Sequence, residues 1–380
     1  VSSAFKPKIV GATWTYAYAA SGGCGTNPAA GQNGNRTSAT YQGVSIGSYC
    51  YDMADRLTSS TQTGYTGSIT YDSRGNTTLL GGDTYAYDSA DRHRTTTRGA
   101  TSVAYQRDAL DRVVERSVGG TIESRLGYTD GSDSAQITRN GINSIVETTT
   151  AHPGGVIRTK RSSSEVWSYP NIHGDITATA TAAGANIAVT MLYDPYGQGL
   201  GTLPDNQQGN LDMSWLGALA SKGETEPGIN RYVLMGSRSY NAALGRFLQR
   251  DPVLGGGCAD YEYVCADPVN AADPGGTCPQ GYDASLVLRF FASRDPYGRP
   301  ATFTLSCGSQ NKRYGHRHIV FGCHHGSCAW PGALGFRSLS VGSINLIART
   351  LTAGATVAGN GLWRYETLRL REHSEQFSRV

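Results

Sequence analysis

A short motif returns along the first third of the chain, and it restricts the fold more than any other feature. The copies are Tyr51-Asp52-Met53-Ala54-Asp55-Arg56-Leu57, Tyr71-Asp72-Ser73-Arg74-Gly75-Asn76-Thr77 and Tyr87-Asp88-Ser89-Ala90-Asp91-Arg92. A variant follows at Tyr105, with Asp111-Arg112-Val113. Each full copy is Tyr-Asp, two spacers, then Gly or Asp followed by Asn or Arg, spaced about 16–20 residues apart. Such a period fits one strand, a tight turn and a return strand. A lone hairpin cannot bury enough surface to be stable, so the copies must stack into a continuous sheet. The Asp and Arg of each copy are expected to satisfy the turn backbone or to pair with neighbouring copies.

Composition supports strands and turns. The chain holds 49 Gly and 22 Tyr against 8 Phe and 4 Met. Tyr and Thr favour strands and Gly punctuates turns. Strand-like segments continue through Thr148-Thr149-Thr150 and Val189-Thr190-Met191-Leu192-Tyr193. No stretch approaches the roughly 18 consecutive apolar residues of a membrane-spanning helix, so stable membrane insertion is not expected. The chain begins at Val1 with no visible secretion signal, as a processed or truncated product would. Among the 8 Cys, the pairs Cys24/Cys50 and Cys258/Cys265 are candidates for disulfides in an oxidising compartment, with free buried thiols as the alternative.

The motifs resemble the YD repeats of RHS proteins. Asn171-Ile172-His173-Gly174-Asp175-Ile176 and Tyr193-Asp194-Pro195-Tyr196-Gly197 are similar to further elements of that family. The segment from Arg231-Tyr232 through Gly236, Arg238, Tyr240, Gly245-Arg246-Phe247 to Arg250-Asp251-Pro252 resembles the RHS-associated core, completed by Tyr261, Tyr263 and Asp267-Pro268-Val269-Asn270. The resemblance covers roughly residues 15–276. It implies a mainly β protein: a YD-repeat sheet that spirals into a hollow cocoon, followed by a small α+β C-terminal domain. The boundaries it implies are a repeat shell over 1–230, the core over 231–276 and a variable effector over 277–380.

The junction carries a second family feature. Asp251-Pro252-Val253-Leu254 is followed by 18 residues and then Asp273-Pro274-Gly275-Gly276. In relatives, such a pair acts as an aspartate self-protease that separates the tail. Leu254 departs from the expected Gly, although Gly255, Gly256 and Gly257 follow. Two carboxylates close enough to share a proton can activate water on a peptide carbonyl, because like charges push their pKa values apart. Asp251 and Asp273 are the expected pair, Arg250 the orienting or electrostatic partner, and the cut falls shortly after Gly276. The competing reading is that Asp-Pro only makes turns.

Charge divides the chain at this point. Residues 277–380 hold 12 Lys and Arg against 5 Asp and Glu, or +7, whereas residues 1–276 hold 21 against 25, or −4. A basic segment suits a polyanionic target, since contacts to phosphate dominate non-specific nucleic-acid affinity. Within it lies the densest cluster of chemistry, from Lys312 to Cys328, with His316, Arg317, His318, Cys323, His324 and His325. Two His can serve as base and acid on a ribose 2′-hydroxyl and its leaving oxygen while an Arg stabilises the phosphorane. Gly315, His318, Ile319 and His324 or His325 loosely resemble the signature of barnase-, EndoU- and colicin-like toxin nucleases, with a His-to-His gap longer than usual. Metal coordination is the alternative: Cys307, Cys323, Cys328 and the His residues supply donors, but C-x-x-C and H-E-x-x-H are absent, as is a zinc-deaminase signature. In the third reading, Cys323 and Cys328 form a small disulfide and the His line a basic surface. Thr302–Ser306 and the stretch around Trp363, Tyr365 and Arg369 read as strands. Ile344, Ile347, Ala348 and Leu351 mark a helical face stopped by Gly354, and Arg371–Glu375 a short terminal helix.

The leading expectation is a secreted or cell-surface antibacterial toxin whose C-terminal domain is a metal-independent ribonuclease acting in the target-cell cytoplasm. Its partners would be RNA or another nucleic acid, a cognate immunity protein and a delivery machinery, with no cofactor. The alternatives are a metal-dependent nuclease or hydrolase, another effector chemistry such as ADP-ribosyl transfer, and a non-enzymatic surface or adhesion module.

Overall fold

The computed structural model describes residues 13–129, 134–183, 187–201, 203–252 and 259–276, with backbone alone over 187–190, and beyond these the backbone of paired strands between 287 and 376. The protein is mainly β and its sheets are antiparallel. A four-stranded sheet comprises Trp14–Ala17, Ser38–Tyr41, Val44–Tyr51 and Leu57–Ser60. A thirteen-stranded sheet then runs from Thr70–Tyr71 to Ile187–Thr190, and every strand pairs with its neighbours in sequence. Among the described residues helical structure is confined to short 3-10 turns, and no helix is long and apolar enough to cross a membrane.

The repeat motif explains this meander. Asp52 Oδ1 accepts the backbone N–H groups of Ala54 and Arg56 at 2.9 and 3.0 Å, and its Oδ2 accepts Arg56 Nε at 2.7 Å. Asp88 repeats this with Ala90 and Arg92, Asp108 with Leu110 and Arg112, and Asp72 with Arg74 and Asn76. The carboxylate thus closes two N–H groups of the turn, and main-chain bonds from Asp52 N–H to Arg56 O and from Asp55 N–H to Asp52 O close the rest. The fourth residue of each turn is left-handed: φ is +58° at Asp55, +63° at Asp91 and +63° at Asp111. Asp tolerates that region better than most residues. At the second copy Gly takes this place. Gly75 has φ +91°, and a Cβ there would meet the Tyr261 hydroxyl at 2.7 Å.

Neighbouring turns are linked as well. Asp91 Oδ1 accepts Asn76 Nδ2 at 2.7 Å and pairs with Arg74 Nε at 2.8 Å. Asp55 accepts Asn35 Nδ2 at 2.8 Å. The tyrosine of the motif has its own regular role. Tyr51 donates its hydroxyl to Arg36 O, Tyr71 to Leu57 O, Tyr87 to Thr77 O, Tyr128 to Val113 O and Tyr193 to Ile176 O, over 2.7–3.0 Å. In these copies the hydroxyl reaches a main-chain carbonyl one strand back. That is a physical reason for a chain rich in Tyr and poor in Phe: the ring packs, and the hydroxyl closes a buried backbone acceptor.

A third sheet is five-stranded: Leu211–Met213, Lys222–Glu224, Tyr232–Met235, Arg238–Asn241 and Arg246–Phe247. Every residue in these strands is buried. Alternation divides one strand between two cores. Tyr232 and Leu234 join Tyr85, Val103, Tyr105 and Leu126 of the repeat sheet. Val233 and Met235 join Trp215, Tyr240, Phe247 and Tyr263 on the other face. A buried ion pair fixes the first contact: Arg116 Nε and Nη2 reach Glu224 Oε2 and Oε1 at 2.9 and 2.7 Å. A side-chain relay supports it. Tyr105 and Tyr232 hydroxyls lie 2.9 Å apart, Thr96 donates to Tyr232, and His93 sits 2.9 Å from both Thr96 Oγ1 and Ser239 Oγ. Burial of His93 pushes its imidazole down to a pKa of about 3, so it is neutral at physiological pH.

Cys24 and Cys50 are disulfide-bonded. Cys265 is disulfide-bonded too, and Cys258, its expected partner, lies outside the described residues. In the C-terminal segment Val287–Arg294 pairs with Pro300–Ser306, and Ala355–Val357 with Trp363–Tyr365, so the two expected strands are present. The terminal helix expected over Arg371–Glu375 is not: Arg371–Glu372 pairs with Glu375–Gln376 as a hairpin. A polar five-residue stretch is below the length at which helix propagation repays nucleation. The helix expected through Ile344–Leu351 lies outside the described residues.

Candidate functional site

The two junction carboxylates meet in the wall of the five-stranded sheet. Asp251 follows the strand Arg246–Phe247 and is fixed by its backbone N–H, which donates to Asp260 O at 2.7 Å. Asp273 lies on the return segment, its N–H donating to the Tyr263 hydroxyl at 3.2 Å. The residue between them is Arg238, at the start of the next-to-last strand of the sheet. Its Nη2 is 3.1 Å from Asp251 Oδ2 and 3.4 Å from Asp273 Oδ2. The three side chains are only 2–3% exposed. The guanidinium lies 3.6 Å over the Phe247 ring, which leaves its edge for the carboxylates.

The same arginine reaches the main chain past Asp273. Arg238 Nε donates to Gly276 O at 2.5 Å, and Ser237 Oγ lies 3.2 Å from that oxygen. Gly275 O is held by Ser237 N–H at 3.2 Å and approached by Ser237 Oγ at 3.3 Å. Close approach of two backbones makes this possible. Gly236 has φ +49° and a Cβ there would lie 2.4 Å from Gly275 O, while Gly276 has φ +65° and would meet Met235 O at 2.5 Å. Glycine on both sides lets the segment 275–276 lie flat against the turn at 236–237.

Sequence reasoning placed Asp251 and Asp273 together, and they share one guanidinium. It named Arg250 as their partner. Arg250 instead pairs with Asp260 at 2.5 Å and is half exposed, while Arg238 occupies the position between the carboxylates. Adjacent residues on an extended chain tend to face opposite sides, so sequence proximity to Asp251 is a poor guide to contact. The detectable signal for Arg238 was the Gly236-Ser237-Arg238 run, whose small residues match Gly275-Gly276. Arg107, in the fourth repeat, braces this turn: its Nη1 donates to Gly236 O at 2.9 Å.

His316, Arg317, His318 and His325 lie outside the described residues, and only the backbone of His324 is described, in a strand where Cys323 pairs with Cys328. Among the described residues no group of three or more His, Cys, Asp or Glu is arranged to hold a metal ion.

No protein-family model matches the chain. A curated relative, the tRNA3(Ser)-specific nuclease WapA of Bacillus spizizenii, is 26% identical over 218 residues, which is 55% of this chain and 9% of that protein. The chain thus spans under a tenth of the relative's length. Among solved structures, the TcdB2-TccC3 crystal structure is similar over 70% of this chain and 15% of its own, with 18% identity and a TM-score of 0.43. The Photorhabdus luminescens Tc holotoxin pore is similar over 72% of this chain and 17% of its own, with 16% identity and a TM-score of 0.38.

Proposed function

We propose that this chain is the C-terminal part of an RHS/YD-repeat polymorphic toxin, a β shell that cuts itself after its core and carries residues 277–380 as a ribonuclease effector. The observation that carries this reading is the convergence of Asp251 and Asp273, 22 residues apart in sequence, on one buried guanidinium beside the chain leading out of the core. A turn-forming role for Asp-Pro does not require buried carboxylates facing one cation. In this proposal one carboxylate acts as base and the other as acid, as hydrolysis by a carboxylate pair requires.

The effector chemistry follows from the basic tail and from the relative's name as a tRNA-specific nuclease. In this proposal His318 and either His324 or His325 act as base and acid on the ribose, and Arg317 and His316 bind or stabilise the phosphate. RNA is the substrate, a cognate immunity protein blocks the site in the producing cell, and a delivery machinery carries the protein from the cell surface to its target. The test is digestion of total RNA by the purified chain with and without EDTA, beside His318→Ala. Cleavage that survives EDTA and is lost in the variant supports the metal-independent ribonuclease. Cleavage lost in EDTA contradicts it in favour of metal chemistry, and no cleavage under either condition removes the nuclease.

A further inference from the structure

Resting on the self-cleavage reading, we propose that the bond cut is Gly276–Thr277 and that Ser237 and Arg238 are catalytic residues which stabilise the oxyanion on Gly276. The Gly276 carbonyl faces two donors, Arg238 Nε at 2.5 Å and Ser237 Oγ at 3.2 Å. A hydroxyl has one proton, and here two carbonyls compete for it. Gly275 O already has the Ser237 backbone N–H, so the hydroxyl proton is available to Gly276. Among the described residues from Asp273 to Gly276, the carbonyl bound by the guanidinium that also contacts Asp251 and Asp273 is that of Gly276, and Arg238 Nη1 lies 3.4 Å from Asp260 O on the facing segment. Arg238 thus joins substrate and acid–base groups through one rigid plane, with Nε on the carbonyl and Nη2 on the carboxylates.

The reaction balances with one water. Its oxygen attacks the Gly276 carbonyl carbon while the ionised member of the carboxylate pair takes its proton. Negative charge developing on the carbonyl oxygen falls on the Ser237 hydroxyl and the Arg238 N–H. The bond to the Thr277 nitrogen then breaks, and that nitrogen takes a proton from the protonated carboxyl. The products are a Gly276 carboxylate and a Thr277 amine. Donors fixed before the reaction need no reorganisation, which is why such groups stabilise a transition state better than water does. The fit of Gly236 against Gly275 keeps the carbonyl aimed at them.

The experiment is cell-free synthesis of the full chain, followed over time by gel and intact-mass spectrometry, for wild type, Asp251→Asn, Ser237→Ala and Arg238→Lys. The expected masses place the wild-type cut between Gly276 and Thr277. Loss of one oxyanion donor slows catalysis on the order of 10²–10³-fold, and that is the slowing expected for Ser237→Ala, which removes a single oxygen and leaves the fold intact. Arg238→Lys keeps the charge but loses the fork, and slows at least as much. A wild-type cut at another bond overturns the assignment. So does wild-type speed in both Ser237→Ala and Arg238→Lys. Failure of the underlying reading looks different: wild type and Asp251→Asn then behave alike, and the assignment falls with it.

Discussion

The repeat sheet and the five-stranded core sheet use the same side chains in opposite ways. In the repeat turns, charge pairs within one copy or with the next. Arg56 reaches back four residues to Asp52, with the two side chains 39% and 19% exposed. In the core, charge is remote and dry: Arg116 meets Glu224 across 108 residues with both side chains at 0–1% exposure. Backbone strain divides the same way. In the repeat turns the left-handed non-glycine positions fall to Asp and Asn, with Gln42 there in the hairpin before the first copy, whereas the core adds Leu216, Ala220, Val264, Cys265 and Ala266 to its left-handed glycines, with φ between +47° and +69° for those five. Such residues cost on the order of 1–3 kcal/mol each and persist only where their surroundings over-determine them. Local and redundant interactions build a wall that tolerates change. Remote, buried ones hold a geometry, and the candidate processing site lies among them.

This contrast can be broken by mutation. The largest effect is expected at Arg116→Ala, which strands buried Glu224 and should cost about 3–5 kcal/mol, read as a shift in the chemical-denaturation midpoint. Asp88→Ala removes a turn carboxylate that is partly exposed. Its loss should cost about 1–2 kcal/mol, as for a capping residue. Equal losses at the two positions would erase the distinction between wall and core. Tyr87→Phe tests the hydroxyl ladder alone and should cost about 1 kcal/mol; no loss would reduce the tyrosines to packing.

A further effect appears only in acid. His93 has a folded pKa lowered by burial to about 3, against an ordinary value of 6.5. The unfolded chain therefore binds the proton that the folded chain refuses, and stability is lost as pH falls below 6.5 towards 3. Asp194 and Asp212 act oppositely. Burial raises them to about 6 and about 7, so their protonation favours the folded state as pH falls through those values. The His93 contribution is isolated by comparison with His93→Gln: between pH 7 and pH 5 the wild-type midpoint should fall relative to the variant's. Parallel curves would mean that the relay between repeat and core does not depend on a neutral imidazole.

Much of the wall was legible because its chemistry is sequence-local. Tyr-Asp, a left-handed fourth residue and a partner at the fifth are all visible in one heptad of sequence. Asn171–Asp175 and Asp194–Gln198 looked like separate family elements, yet they close the same turn: Asn171 Oδ1 accepts Asp175 N–H, and Asp194 Oδ1 accepts Gln198 N–H. Spacing also found Asp251 and Asp273. It could not find Arg238, which lies 35 residues before Asp273 and owes its role to sheet register and the flat approach of two glycine-containing segments. Nor could it show that Arg107, which stands where the fourth repeat has no Tyr, would hold Gly236 O. Contacts between remote turns leave no periodic trace in one sequence.

The most direct test of the account is the fate of the junction in the full-length chain. Wild type should separate into fragments ending and beginning beside Gly276, while Asp251→Asn and Asp273→Asn remain single chains of full mass. A wild type that stays whole, or variants that divide as it does, would contradict the claim that these two carboxylates sever the effector from its shell.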